Sequence, residues 1–241
     1  MRRELARVLS KAGLCSRKVA AEWIRAGRVR VDGVLVRDPT ARMDPDRNAI
    51  ALDGRRIGDA EHSYWALHKP RGYVTTRIDP AGRKTVYDLL GDLGEWVVPV
   101  GRLDLETSGL LLLTNDTQFA EYLTNPDSHV EKTYRVTAKP RLGEAALERL
   151  RAGVVLKDGP TRPAAVKKIG DRGPCTVIEI TITEGRNRQV RRMIVEVGAK
   201  VEKLARVSIG AVALGDLAAG ELRRLSAAEL RALRRPRSTK R

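Results

Sequence analysis

The chain has 241 residues and a formal net charge of +16, from 46 Lys and Arg against 30 Asp and Glu. With 42% hydrophobic residues it can bury a core, so disorder is excluded, and its length suits one large or two ordinary domains. Cys15 and Cys175 stand far apart, histidines number three, and no apolar run nears the roughly 18 residues of a membrane span. The composition therefore excludes a disulfide scaffold, shows no metal site, and gives a reduced, cytoplasmic, membrane-free protein with a polyanionic partner. For so basic a chain that partner is most often nucleic acid.

Residues 1–60 read as one unit. RRELARVLSKAG places Leu5, Val8 and Leu9 at helical spacing and stops at Gly13. Ser16 is placed to cap a second helix with Val19, Ala20, Trp23 and Ile24 on its apolar side, closed by Gly27. Asp32-Gly33 and Asp53-Gly54 are hairpin turns between alternating segments. Arg17, Lys18, Arg25, Arg28 and Arg30 cluster on the second helix and first strand, so one face of the unit is expected to be basic, and composition leaves a solvated surface and a grip on a polyanion about equally open.

A second unit, residues 61–232, mixes strands with single helices and lacks a regular βαβ repeat. YWALHKPRGYVTT is strand-like with a Pro-Arg-Gly break, KTVYDLLGDLG a short helix, and WVVPV a strand ahead of a GRLD loop. LLLLT is a buried strand, and Asp116 or Thr117 caps TQFAEYLTN. HVEKTYRVTA, CTVIEITITEG and KLARVSIGAVAL are further strands. RLGEAALERLRAG and the segment after Gly185 are helices, and Ser226 with Glu229 forms a capping box for a last one. The expected class is α+β: a small helix-helix-strand domain, then a mixed, mainly antiparallel sheet with flanking helices. A basic tail, 233–241, follows and is disordered by composition. Residues 1–60 and 221–241 each carry a net +6, leaving about +4 between them. Such ends would grip a polyanion while the middle does chemistry.

Asp104 is the residue to explain. It ends an apolar strand and is followed by four leucines. A turn aspartate is usually structural. At the edge of a core, however, a carboxylate stays ionised only with a partner charge or several donors. Arg102 is a poor partner, because alternate residues of an extended segment diverge. EGRNRQVRRM supplies other arginines at a helix start, where anions are attracted. Arg186, Arg188 and Arg192 read best as phosphate-gripping residues; a sharper reading makes one arginine of the segment the buried counter-ion of Asp104. Tyr134 is a core aromatic or a platform beside a base.

The motifs GRLDLETSGLLLLTND, EKTYRV, EGRNRQVRRM and KLARVSIGAVALGDLAAGELRRL occur in this order. Together they closely resemble the bacterial ribosomal-RNA pseudouridine synthases that act on single uridines. LSKAGLCSRKVAAEWIRAGRVRVDG resembles the alpha-L RNA-binding domain that this family carries ahead of its catalytic domain. The resemblance covers nearly all of residues 3–232. A departure is Asp32-Gly33, where Asn-Gly is commoner; both suit the turn.

The resemblance implies that Asp104 is the nucleophile, acting on the ribose or as a base toward it. It implies that Arg191 pairs with Asp104, and that Tyr134 sits beside the uracil and handles the proton on carbon 5. Arg102 would hold the flipped nucleotide or the space it leaves. No cofactor or metal step is required. The partner would be ribosomal RNA, free or in a pre-ribosomal particle, and the protein a monomer. VVLKDGPTRPA and GRNRQVRRM lean toward the large-subunit RNA; Gln189 and Met193 also occur in the small-subunit type. A non-catalytic assembly factor is opposed by the intact Asp104, Tyr134 and Arg191. A nucleotide hydrolase would call for a second carboxylate or a metal cluster, and Glu106 alone does not provide one.

Overall fold

The computed structural model describes residues 2–57 and 62–234. The tail expected at 233–241 therefore lies outside the described residues from 235 onward. The chain divides into two compact units. One comprises Met1–Tyr64 with Asp92–Val98 and Leu113–Ala120; the other comprises Trp65–Gly91, Pro99–Leu112 and Glu121–Arg241.

In the first unit, α1 (Leu5–Lys11) buries Leu5 and Leu9 completely, and Gly13 follows in a left-handed conformation. Helix α2 (Arg17–Arg25) starts where expected, because the Ser16 hydroxyl accepts from the Val19 N–H at 3.2 Å. Strands β1 (Val29–Val31), β2 (Val34–Val36), β3 (Ile50–Leu52) and β4 (Arg55–Ile57) form an antiparallel sheet in the order β2-β1-β3-β4. Both turns take positive φ at two successive residues, Asp32-Gly33 and Asp53-Gly54. That is the mirror-image turn whose twist matches the flanking strands. Asp32 also accepts from the Ala49 N–H at 2.7 Å, which ties the turn to the entry into β3.

The second unit is built on a mixed sheet. Its longer strands are β5 (Tyr64–Lys69), β6 (Ser108–Thr114), β7 (Lys132–Lys139), β8 (Ala165–Arg172), β9 (Cys175–Ile182), β10 (Lys200–Ile209) and β11 (Leu222–Arg224). They lie in the order β8-β9-β7-β10-β6-β5-β11. Val98–Pro99 pairs with β6, and Val212–Ala213 with β10. The β10–β6 pairing is parallel, whereas β8–β9, β9–β7, β7–β10 and β11–β5 are antiparallel. Helices α3 (Thr117–Thr124), α4 (Glu144–Ala152), α5 (Gln189–Glu196) and α6 (Ala227–Arg234) accompany the sheet. The α+β class read from the sequence is the class found.

The four leucines of β6, Leu110–Leu113, are at most 1% exposed. A strand buried on both faces reads as a continuous apolar run, which is why LLLL was legible as one. Another cluster joins Val136 of β7, Leu147 and Leu150 of α4, Ile178 and Ile180 of β9, and Met193 and Ile194 of α5.

Three local expectations are corrected. KTVYDLLGDLG makes only a 3₁₀ turn, Val86–Leu89: Thr85 and Asp88 cap its start, and left-handed Gly91 follows its end. WVVPV is a strand only over Val98–Pro99, and beyond it the Val100 N–H still donates to the Leu112 carbonyl of β6 at 2.8 Å. The helix expected from Arg186 begins at Gln189, because Arg188 adopts a positive φ of 49° and cannot be a helical residue. Arg188 and Arg192 therefore do not stack one turn apart.

Candidate active site

The GRLD loop joins Val98–Pro99 to β6, and Asp104 sits at its tip in a tight turn. The Asp104 carbonyl accepts from the Thr107 N–H at 3.0 Å. Below the turn lies Lys69, the last residue of β5, whose side chain is fully buried. Its ammonium donates to the carbonyls of Pro70 (2.9 Å), Asp104 (3.2 Å) and Thr107 (2.8 Å). Burial pushes the Lys69 ammonium down to about 8, with the charges of Asp104 and Glu106 opposing that shift. A cation gathering three loop carbonyls fixes the loop's backbone path. Sequence reasoning missed Lys69; HKP at a strand end was its only trace.

The Asp104 side chain is 32% exposed and faces two guanidiniums. Arg188 Nη1 lies 3.5 Å from Asp104 Oδ2, and Arg191 Nε lies 3.9 Å from the same oxygen. The expectation of one arginine partner is thus corrected to two. The left-handed backbone at Arg188 turns its side chain back toward the loop instead of along α5. Arg191 is the more buried of the two and donates through Nη2 to the Glu106 carbonyl at 2.8 Å, with Thr107 Oγ1 at 3.4 Å. Its buried Nε has no hydrogen-bond partner. Burial and the neighbouring Arg188 lower the Arg191 pKa, while Asp104 raises it.

Asp104, Arg102, Tyr134, Arg186, Arg188 and Arg191 all line one cleft of about 420 Å³. Apolar Leu103, Ile182, Val190 and Leu204 complete much of its wall. Tyr134 combines the two readings given to it. It is half-buried against the α4–α5 cluster, and it also lines the cleft. Its cross-strand neighbours are Ile180 and Arg206. Arg102 is exposed at the cleft. A carboxylate between cations, an aromatic side chain and apolar walls can seat a planar base with its sugar toward the acid.

The other arginines are engaged within the protein. Arg186 donates to the Gly159 carbonyl at 2.9 Å and to Glu184 Oε2 at 3.2 Å. Arg192 clasps Asp158 with two contacts, 2.7 and 3.1 Å, and holds that carboxyl below its usual range. Both therefore anchor the short hairpin Val155–Leu156 and Gly159–Pro160. Glu106 pairs with exposed Arg71 on the surface.

In the first unit, Arg17, Lys18, Arg25, Arg28 and Arg30 are all exposed. Arg28 is committed to Asp53, with Nε 3.0 Å from Oδ1, and lies over the Trp23 ring at 4.9 Å. Arg30 donates to the Gly33 carbonyl at 2.9 Å. Arg17, Lys18 and Arg25 make no ion pair among the described residues and form the available cationic group.

The chain is similar to known proteins over nearly its whole length. Residues 63–196 match the family described as RNA pseudouridylate synthase, and residues 3–45 match the S4 domain. A Mycobacterium leprae protein named as an RNA pseudouridine synthase is 41% identical over 233 residues, covering 95% of this chain and 91% of its own. The Bacillus subtilis protein named ribosomal large subunit pseudouridine synthase B is 38% identical over 232 residues, covering 95% of each. A crystal structure of a pseudouridylate synthase superposes with a TM-score of 0.70 at 32% identity, covering 95% of this chain and 99% of that one.

Proposed function

The chain belongs to the RNA pseudouridylate synthase family, with an S4 domain ahead of its synthase domain, and from that premise we propose that it converts a specific uridine of large-subunit ribosomal RNA to pseudouridine. The convergence of Asp104, its two arginines and Tyr134 in one cleft carries the reading of the site. The similarity to the Bacillus subtilis large-subunit synthase supports the choice of RNA. The protein acts as a monomer in the cytoplasm, on free RNA or on a pre-ribosomal particle.

The reaction exchanges one bond for another. The bond from uracil nitrogen 1 to the ribose breaks, the base turns, and carbon 5 joins the ribose; nitrogen 1 gains a proton and carbon 5 loses one. The uridine must first leave its stack, at a cost of a few kcal/mol that contacts to a basic surface offset. Asp104 acts on the ribose or as a base toward it, with the guanidiniums of Arg188 and Arg191 beside its carboxylate. Tyr134 lies against the base and takes part in removing the carbon 5 proton. Arg102, exposed at the cleft, holds the flipped nucleotide or fills its place in the stack.

The lost carbon 5 proton makes the test simple. Transcripts of large- and small-subunit ribosomal RNA carrying tritium at uridine carbon 5 are incubated with the protein, and tritium released to water is counted. Release from the large-subunit transcript alone is expected. Release only from the small-subunit transcript would reassign the substrate, and no release from either naked RNA or particles would refute the activity.

A further inference from the structure

The segment between β5 and the 3₁₀ turn, residues 70–85, runs alongside the GRLD loop and is hydrogen-bonded to it on both sides of Asp104. The Gly72 N–H donates to the Leu105 carbonyl at 2.9 Å. The Thr75 hydroxyl accepts from the Leu103 N–H at 3.2 Å and donates to the Leu103 carbonyl at 2.8 Å. One side chain thus satisfies both backbone groups of the residue directly before Asp104.

Thr75 is itself firmly placed. Val74 beside it forms a bridge with Thr85, donates through its N–H to the Lys84 carbonyl at 2.9 Å, and accepts at its carbonyl from the Val86 N–H at 2.9 Å. Val86 is fully buried, and Thr85 caps the 3₁₀ turn. Leu103 is held from its other side as well, since its side chain is 5% exposed. With its side chain, N–H and carbonyl all fixed, Leu103 leaves the following residue little freedom of direction. The Asp104 carboxylate, by contrast, meets its arginines only at 3.5 and 3.9 Å, too loosely to define its aim.

We infer that Thr75 is a positioning residue for the reaction: its hydroxyl locks the Leu103 backbone and so directs the Asp104 carboxylate into the cleft. The inference rests on Asp104 being the reacting carboxylate. Thr75 lies outside the cleft lining.

The test compares full-length wild type with Thr75→Val, Thr75→Ala, Thr75→Ser and Asp104→Asn. Single-turnover rates are read from tritium release on carbon 5-labelled large-subunit transcript, RNA dissociation constants from filter binding, and folding from thermal unfolding. Thr75→Val keeps shape without the hydroxyl, and Thr75→Ser keeps the hydroxyl. We expect Thr75→Val and Thr75→Ala to lose on the order of 10- to 100-fold in single-turnover rate. Their RNA affinity should be unchanged, and Thr75→Ser should run near the wild-type rate.

A Thr75→Val rate equal to wild type, beside an inactive Asp104→Asn, overturns the inference and leaves the proposed function standing. Equal losses in Thr75→Ser and Thr75→Val overturn it too, because the hydroxyl would then be irrelevant. So does loss of fold in both hydroxyl-free variants, which would make the bond a stability requirement only. Full activity in Asp104→Asn removes the reading beneath it, and the inference falls with that reading.

Discussion

Asp104 and Lys69 occupy two sides of one turn, and they were not equally visible in the sequence. Asp104 stood out because a carboxylate at the end of an apolar strand needs a reason. Lys69 did not, since a lysine beside a proline usually marks a solvated strand end. Its importance comes from burial, which only the packing of β5 beneath the loop creates. The pairing of Arg188 with Asp104 was hidden for a related reason: its positive φ has no signature in an Arg-rich segment, yet it turns the side chain toward Asp104.

Burial of Lys69 makes a pH prediction. Its folded-state pKa is pushed from 10.5 to about 8. Between those values the unfolded chain holds a proton at this site that the folded chain has released. The contribution of Lys69 to stability therefore rises as pH climbs from about 8 toward 10.5, and is lost as pH falls back through about 8. Lys69→Met lacks this slope. Denaturant titrations of both proteins across the window should show wild type gaining on the variant, and a constant difference would contradict a depressed Lys69.

At the scale of elements, strand β6 shows what periodicity reveals and what it hides. Its burial was legible from four consecutive leucines. Its parallel pairing with β10 was not, because parallel register depends on a distant segment. Gly109 marks the close approach. It has a φ of 106°, and a Cβ there would lie 2.2 Å from the Arg206 carbonyl oxygen, so only glycine fits. Gly109→Ala should cost about 2–4 kcal/mol in urea unfolding, through strain and separation of the two strands. An unchanged midpoint would mean that β6 and β10 do not approach so closely. The short 3₁₀ turn at Val86 failed as a sequence reading for a simpler reason, the left-handed Gly91 that follows it.

For the whole molecule, charge and chemistry are separated along the chain. The cations of α2 that make no ion pair among the described residues belong to the S4 domain, whereas the near-neutral stretch holds the cleft. The two-domain order was legible because each domain has its own motifs. Two segments of the first unit, Asp92–Val98 and Leu113–Ala120, were not, because they come from within the synthase sequence. Cutting the chain near residue 60 would therefore remove partners of those segments, and point substitutions make a cleaner test. Neutralising Arg17, Lys18 and Arg25 together to Gln should weaken ribosomal-RNA binding and lower the slope of log affinity against log salt by about 2, at roughly 0.7 per released counterion. The rate at saturating RNA should hold. An unchanged slope would mean that this face is only solvated surface.

The proposed role of Asp104 in isomerising one ribosomal uridine can be tested in cells. Its most direct test is carbodiimide mapping of pseudouridine in ribosomal RNA from cells lacking the gene, complemented with wild type or Asp104→Asn. One large-subunit site should vanish on deletion, return with wild type and stay absent with Asp104→Asn. Retention of every site on deletion, or restoration of the lost one by Asp104→Asn, would contradict the account.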